Sequence, residues 1–122
     1  MARTLLAIRE LGGYPDFSQF YREAGYVVYT ANGLRKGLVE IKRLKPEAVV
    51  TEFRYKPTYG TQISNLESLF AALQKHAPQA RLIVFYDKPD HAQLLELEGR
   101  FANMSTLAFP ILAEKLINAL HR

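Results

Sequence analysis

The sequence contains no cysteine and no tryptophan, and no apolar run in it comes near the roughly 20 residues that a membrane span needs. Without cysteine there is no disulfide framework and no thiolate metal site, a composition suited to a reducing cytosol. His76, His91 and His121 are far apart and have no metal-ligand spacing. Two of them fall near expected helix C-termini, where a protonated imidazole is favoured, so they read as surface or structural groups. Glycine-rich nucleotide motifs are also missing. Gly12-Gly13 is a bare pair, without a G-x-G-x-x-G pattern or a P-loop lysine, and reads as a turn. No nucleophile-elbow pattern supports hydrolase chemistry. The first apolar run begins almost at Met1, so no leader segment and no membrane anchor are expected, and the location expected is the cytoplasm.

What is present fits one domain, residues 1–122, long enough to bury a single substantial core. Lysine and arginine number 16 against 12 acids, a formal charge of +4 that biases the surface toward acidic partners. The densest basic segment is Arg35-Lys36 with Lys42-Arg43 and Lys45. Pairs seven residues apart share one helix face, and a solvated basic face is a simpler reading than a nucleic-acid site. Nucleic acid is therefore not an expected partner.

The stretch Ala48-Val49-Val50-Thr51-Glu52-Phe53 organises the chain: a run of small and β-branched residues entered through Lys45-Pro46 and left through Arg54-Tyr55-Lys56-Pro57. Such a run is a buried parallel strand. Before it, Thr4–Ile8 is a first strand ending in Arg9-Glu10. Asp16 with Gln19 reads as a capping box for a helix carrying Phe17, Phe20, Tyr21 and Ala24, stopped by Gly25. Tyr26–Thr30 is strongly strand-prone. Leu34, Leu38, Ile41 and Leu44 keep helical spacing until Pro46.

After Phe53, residues 54–61 are polar and turn-rich and are expected to form a long loop. Ser64 and Glu67 then cap a helix with a buried stripe of Ile63, Leu66, Leu69, Phe70 and Leu73. Arg81–Tyr86 is a fourth strand, Asp87–Asp90 opens a helix carrying Leu94, Leu95 and Phe101, and Met104–Ala108 is a fifth strand. Phe109-Pro110 opens a last helix with Leu112, Leu116 and Leu120 inside.

Five strands alternating with five helices predict an α/β fold with a doubly wound, five-stranded parallel sheet of order 2-1-3-4-5. In such sheets ligands collect beyond the carboxyl ends of the strands, which singles out Glu52.

Over essentially its whole length the chain resembles the receiver domain of bacterial response regulators, a flavodoxin-like fold. The likeness lies in Arg22–Gly33, in Leu44–Val50 and in Arg81–Val84. A working receiver takes a phosphoryl group on an aspartate ending its third strand, with Mg²⁺ held by an acidic pair ending the first. A hydroxyl ending the fourth strand and a lysine before a proline after the fifth read the phosphoryl oxygens.

Matched to that pattern, the acceptor position falls on Glu52, one methylene too long, and the acidic pair on Arg9 and Glu10. The hydroxyl position falls on Tyr86, whose ring is expected to fill the phosphoryl space, the lysine on Phe109, and the strand-five switch aromatic on Thr106. A cation at a metal-ligand position repels Mg²⁺ by several kcal/mol at contact distance, so no metal and no cofactor are expected. The expected replacement is an ion pair between Arg9 and Glu52 at adjacent strand ends.

The resemblance therefore implies a degenerate, stand-alone pseudo-receiver: not an enzyme, but a phosphorylation-independent interaction module whose partner is another protein or a second copy of itself. Tyr55, Lys56 and Tyr59 in the third loop and Leu97, Phe101 and Thr106 beside the fifth strand are its candidate contact residues. Two alternatives stand beside it: a flavodoxin-like small-molecule or nucleotide-binding domain, with or without catalysis, using Gly12-Gly13; and an atypical phosphoacceptor acting through Glu52.

Overall fold

A computed structural model describes residues 3–10, 13–58 and 61–121, with the backbone alone at 55–58 and 61–63. Along the chain run β1 (Arg3–Arg9), α1 (Ser18–Glu23), β2 (Tyr26–Asn32), α2 (Leu34–Leu44), β3 (Ala48–Glu52), β4 (Tyr55–Thr58), β5 (Thr61–Ser64), α3 (Leu66–His76) and β6 (Arg81–Tyr86). A short 3₁₀ turn (Lys88–Asp90), α4 (His91–Leu95), β7 (Met104–Ala108) and α5 (Ala113–Leu120) complete it.

The main sheet has the order β2-β1-β3-β6-β7, every neighbouring pair parallel. Counting only those five strands, this is the expected order 2-1-3-4-5. Period-two alternation sorts each strand between two cores. Leu6, Ile8, Val49, Leu82 and Val84 face a core shared with Ile41, Leu69, Leu73 and Leu94. Leu5, Ala7, Val50, Ile83 and Phe85 face the other, shared with Tyr21, Leu116 and Leu120. All five residues of β3 are buried, as its unbroken apolar run requires.

The helix caps follow local chemistry with one change. At α3 the expected reciprocity is present: the Ser64 amide donates to Glu67 Oε2 at 3.0 Å and the Leu66 amide donates to Ser64 Oγ at 3.1 Å. At α1, Asp16 Oδ1 accepts from the Ser18 amide at 2.9 Å, but Gln19 does not reach back and instead donates to Glu23 one turn on, at 3.1 Å.

Three expectations are corrected. The long loop after Phe53 contains an antiparallel hairpin, with Tyr55 opposite Ser64 and Thr58 opposite Thr61. Its tyrosine and threonine content is strand-forming, a signal outweighed in the sequence by the surrounding polar residues. Leu112, expected inside, is 55% exposed because α5 begins only after it, and the helix expected to carry Phe101 is the single turn α4, which ends at Leu95. Leu97 and Phe101 are buried: the chain turns inward after α4 and stacks the Phe101 ring on Phe70, centroids 5.9 Å apart.

Gly37 sets how closely α2 approaches the sheet. A Cβ there would lie 2.6 Å from Ile8 Cδ1 and 2.8 Å from Ile8 Cγ1, and Ile8 is itself in the core. Gly37→Ala should therefore destabilise by about 1 kcal/mol: overpacking costs about 1–3 kcal/mol and outweighs the roughly 1 kcal/mol of helix propensity gained. Urea denaturation checks this, and an unchanged or raised midpoint would contradict the packing described.

Candidate functional site

Parallel winding brings the carboxyl ends of the central strands to one edge. Arg9 ends β1, Glu52 ends β3 and Tyr86 ends β6. Phe109 follows β7, its amide donating to the Tyr86 carbonyl at 2.9 Å. The β1–β3 register, Leu5 opposite Ala48 through Ala7 opposite Val50, projects Arg9 to the level of Glu52. The backbone thus assembles the expected set, but the side chains find other partners.

Arg9 does not pair with Glu52. Its Nη2 donates to the Tyr14 carbonyl at 2.6 Å, its guanidinium lies 5.5 Å from the Tyr14 ring centroid, and its buried Nε has no hydrogen-bond partner among the described residues. Glu52 Oε1 instead accepts from Arg54 Nη2 at 2.8 Å, two residues farther along the chain.

The reason is Tyr14, which is 2% exposed. Its hydroxyl lies where the paired register of β1 and β3 ends, 2.7 Å from the Ile8 carbonyl and 3.4 Å from that of Val50, with one proton to share between them. Its ring meets Phe85 edge-on at 4.9 Å. Burial pushes the hydroxyl well above its ordinary value of 10.0, so it remains a protonated donor. Tyr21 on α1 is raised by burial as well.

Space is tight next to this wedge. A Cβ at Gly13 would stand 2.7 Å from Glu52 Oε1 and 3.0 Å from the Glu10 carbonyl. Gly13 therefore makes room for the Glu52 carboxylate; Gly12 lies outside the described residues. Glu10 faces another way: its Oε1 accepts from the Leu34 amide at 3.3 Å, placing a carboxylate at the positive end of α2.

Tyr86 does not fill the space beside Glu52. Its ring stacks on His91, centroids 5.4 Å apart and 17° from parallel, and packs with the core of α2 and α3. The neighbouring Phe85, pointing to the opposite face, gathers Phe17 at 5.7 Å and Phe109 at 5.9 Å. Thr106 lies on the outer strand β7, its hydroxyl 3.4 Å from Glu98 Oε1.

The contact residues expected from the sequence are dispersed. Tyr55 and Lys56 lie on β4, Tyr59 is outside the described residues, and Leu97 and Phe101 belong to the core. Sequence reasoning missed the roles of Tyr14 and Arg54, and read Gly13 only as part of a turn or a phosphate-binding pair. Each works through a contact that no periodicity encodes, although Gly12-Gly13 reads as a turn after the first strand.

These residues do not fit Mg²⁺. The ion takes several carboxylate and water oxygens in octahedral array. Here Glu10 is engaged at α2, Glu52 is engaged by Arg54, and Arg9, a cation at the end of β1, donates to the Tyr14 carbonyl. Among the described residues no group of three or more His, Cys, Asp or Glu could hold a metal ion. His76 lies in a cationic setting, its imidazole lowered by burial and by Lys75, Lys42 and Lys45. No described helix is long and apolar enough to cross a membrane.

Parallel five-stranded sheets of this order, with helices on both faces, are the fold of response regulator receiver domains, and solved structures place the chain there. It superposes on chemotaxis protein CheY4 of Vibrio cholerae with a TM-score of 0.71 at 18% identity, over 100% of this chain and 98% of that one. A response regulator receiver domain protein from Clostridium thermocellum gives 0.76 at 19% identity, over 99% and 92%. The adenylate cyclase of Rhodopirellula baltica gives 0.71 at 15% identity, over 99% and 86%. No family model matches the chain, and no curated protein matches its sequence. The likeness is one of fold.

Tyr14→Phe tests the wedge. Loss of the hydroxyl should cost about 1 kcal/mol at neutral pH. Because burial raises the Tyr14 hydroxyl above its ordinary value of 10.0, the folded chain keeps this proton after the unfolded chain has lost it. The corresponding stability is present below pH 10 and declines above it, by about 1.4 kcal/mol per pH unit for each such tyrosine. Denaturation midpoints measured across alkaline pH should fall less steeply for Tyr14→Phe than for the parent. Equal slopes would show that the hydroxyl is not buried as described.

Proposed function

We propose that this protein is a receiver-fold interaction module that does not use phosphorylation, and that it acts in bacterial signal transduction by binding another protein. The observation that carries this reading is the state of Glu52: its carboxylate is held by Arg54 at 2.8 Å and lies against Gly13. A carboxylate already paired with a guanidinium is a poor nucleophile, and among the described residues no oxygen cage stands beside it to gather a metal and neutralise an incoming phosphoryl group.

In this reading the site is a fixed structural edge, and the protein is not an enzyme, needs no cofactor and works in the cytoplasm. The Glu52–Arg54 pair, with Glu52 largely buried and Arg54 partly exposed, favours the carboxylate conformation seen at the end of β3. Binding then depends on surface chemistry that is always present. The nucleotide-binding alternative has less support, because Gly13 is occupied in accommodating Glu52 and is not free to cradle a phosphate. An acceptor role for Glu52 would require Arg54 to leave and Mg²⁺ to enter against Arg9.

Titration with Mg²⁺ and beryllofluoride, followed by amide chemical shifts, checks the reading. No saturable shifts are expected around Arg9, Glu52, Arg54 and Tyr86. Saturable, Mg²⁺-dependent shifts centred on those residues would overturn it and restore a phosphoacceptor.

A further inference from the structure

One edge of the sheet is built to be extended. β2 pairs with β1 on one side and with no strand on the other among the described residues. Its seven residues, Tyr26-Val27-Val28-Tyr29-Thr30-Ala31-Asn32, include no charge and no proline, and Val27 and Tyr29 are 44% and 39% exposed. Edge strands are usually blunted by lysine, proline or a bulge, because their free amides and carbonyls are a template for another chain. This edge carries none of those residue-level blocks.

The helix beside it supplies a chemical pattern. Arg35, Val39 and Arg43 are spaced four apart on α2 and so share one face at intervals of about 6 Å. Val39 is 62% exposed, and the Arg43 guanidinium lies 5.9 Å from the Tyr29 ring centroid, which places this face along β2. Between strand and helix runs a groove of about 550 Å³ bordered by Thr30–Asn32 and by Arg35, Lys36, Val39 and Glu40, the last with its carboxylate paired to Arg43. Alternate residues of an extended chain repeat at about 6.6 Å, close to the spacing of the cation, valine and cation on α2.

Resting on the reading that this protein works by binding another, we propose that the β2 edge and the Arg35–Val39–Arg43 face dock an acidic, extended segment of a partner protein. The segment adds a strand to β2 through main-chain hydrogen bonds. Its side chains facing α2 run acid, apolar, acid, so that three positions lie between the two acids: one apolar residue facing α2 and two residues facing the other way. Charge selects this occupant over a second copy. Four of the eleven residues of α2 are cationic and only Glu40 is acidic, so two such faces brought together repel. Arg43 is already paired with Glu40, whereas Arg35 and Lys36 have no ion-pair partner among the described residues.

The probe is a labelled peptide whose centre reads glutamate-threonine-valine-threonine-glutamate, titrated by fluorescence anisotropy. Saturable binding is expected, with slowed amide exchange at 26–32. The double variant Arg35→Glu with Lys36→Glu should weaken it on the order of tenfold, the scale of two exposed ion pairs removed and reversed. Val39→Glu should weaken it too, and Glu40→Gln, by freeing Arg43, should tighten it. These positions are on the surface of one helix, and circular dichroism confirms that each variant is folded.

Several results would overturn the proposal. One is no saturable binding of the peptide. Another is equal binding of a peptide of the same composition with its two glutamates adjacent, or displacement by a single-stranded RNA that binds more tightly. A third is a dimer in light scattering whose own amides at 26–32 are protected without peptide. If the peptide fails while Mg²⁺ and beryllofluoride also leave the spectrum unchanged, the docking site alone is lost; saturable shifts with those ions would instead remove the reading on which it rests.

Discussion

The hydroxyl of Tyr14 lies at the point where β1 and β3 cease to pair, and the carboxyl end of the sheet is arranged around it. Two strand carbonyls, those of Ile8 and Val50, face it at 2.7 and 3.4 Å. Buried carbonyls need donors, and a buried phenol needs an acceptor, so each side of this contact satisfies the other. With the ring held edge-on against Phe85, the chain from Gly13 to Phe17 is drawn across the strand ends.

That placement distributes the charges. Arg9 is taken by the carbonyl of Tyr14, Glu10 by the first amide of α2, and Glu52 by Arg54. Three groups that share one edge of the sheet thus have three separate partners, and no common centre of charge forms between them. Among the described residues no group of three or more acids or histidines gathers at this edge. The strongest unneutralised field of α2 lies elsewhere, on its solvent face beside the open edge of β2, where Arg35 and Lys36 are exposed.

Much of the architecture was legible because it is written in periods. The apolar runs at Thr4–Ile8, Ala48–Phe53 and Arg81–Tyr86 are buried strands because both faces of the sheet are covered, and α2 and α3 follow from spacings of three and four. Less was legible where a segment is short or an apolar residue sits at the end of an element. Leu112 kept helical spacing with Leu116 yet precedes the helix, and Phe101 reached the core from a turn and not from a helix face. The hairpin after β3 was hidden by polar composition, although its pairing is regular.

By itself the sequence determined the α/β class, the strand order and the set of residues brought to the carboxyl edge, because hydrophobic period and right-handed crossover act through neighbours along the chain. Only the tertiary structure decided which partner each of those residues takes. Tyr14 and Val50 are 36 positions apart, and nothing in the spacing of residues 9, 14, 52 and 54 says that a buried phenol will reach the carbonyls of Ile8 and Val50. Pair formation at the edge is a competition among side chains within a few ångströms of one another, and that competition exists only once the sheet has brought them together.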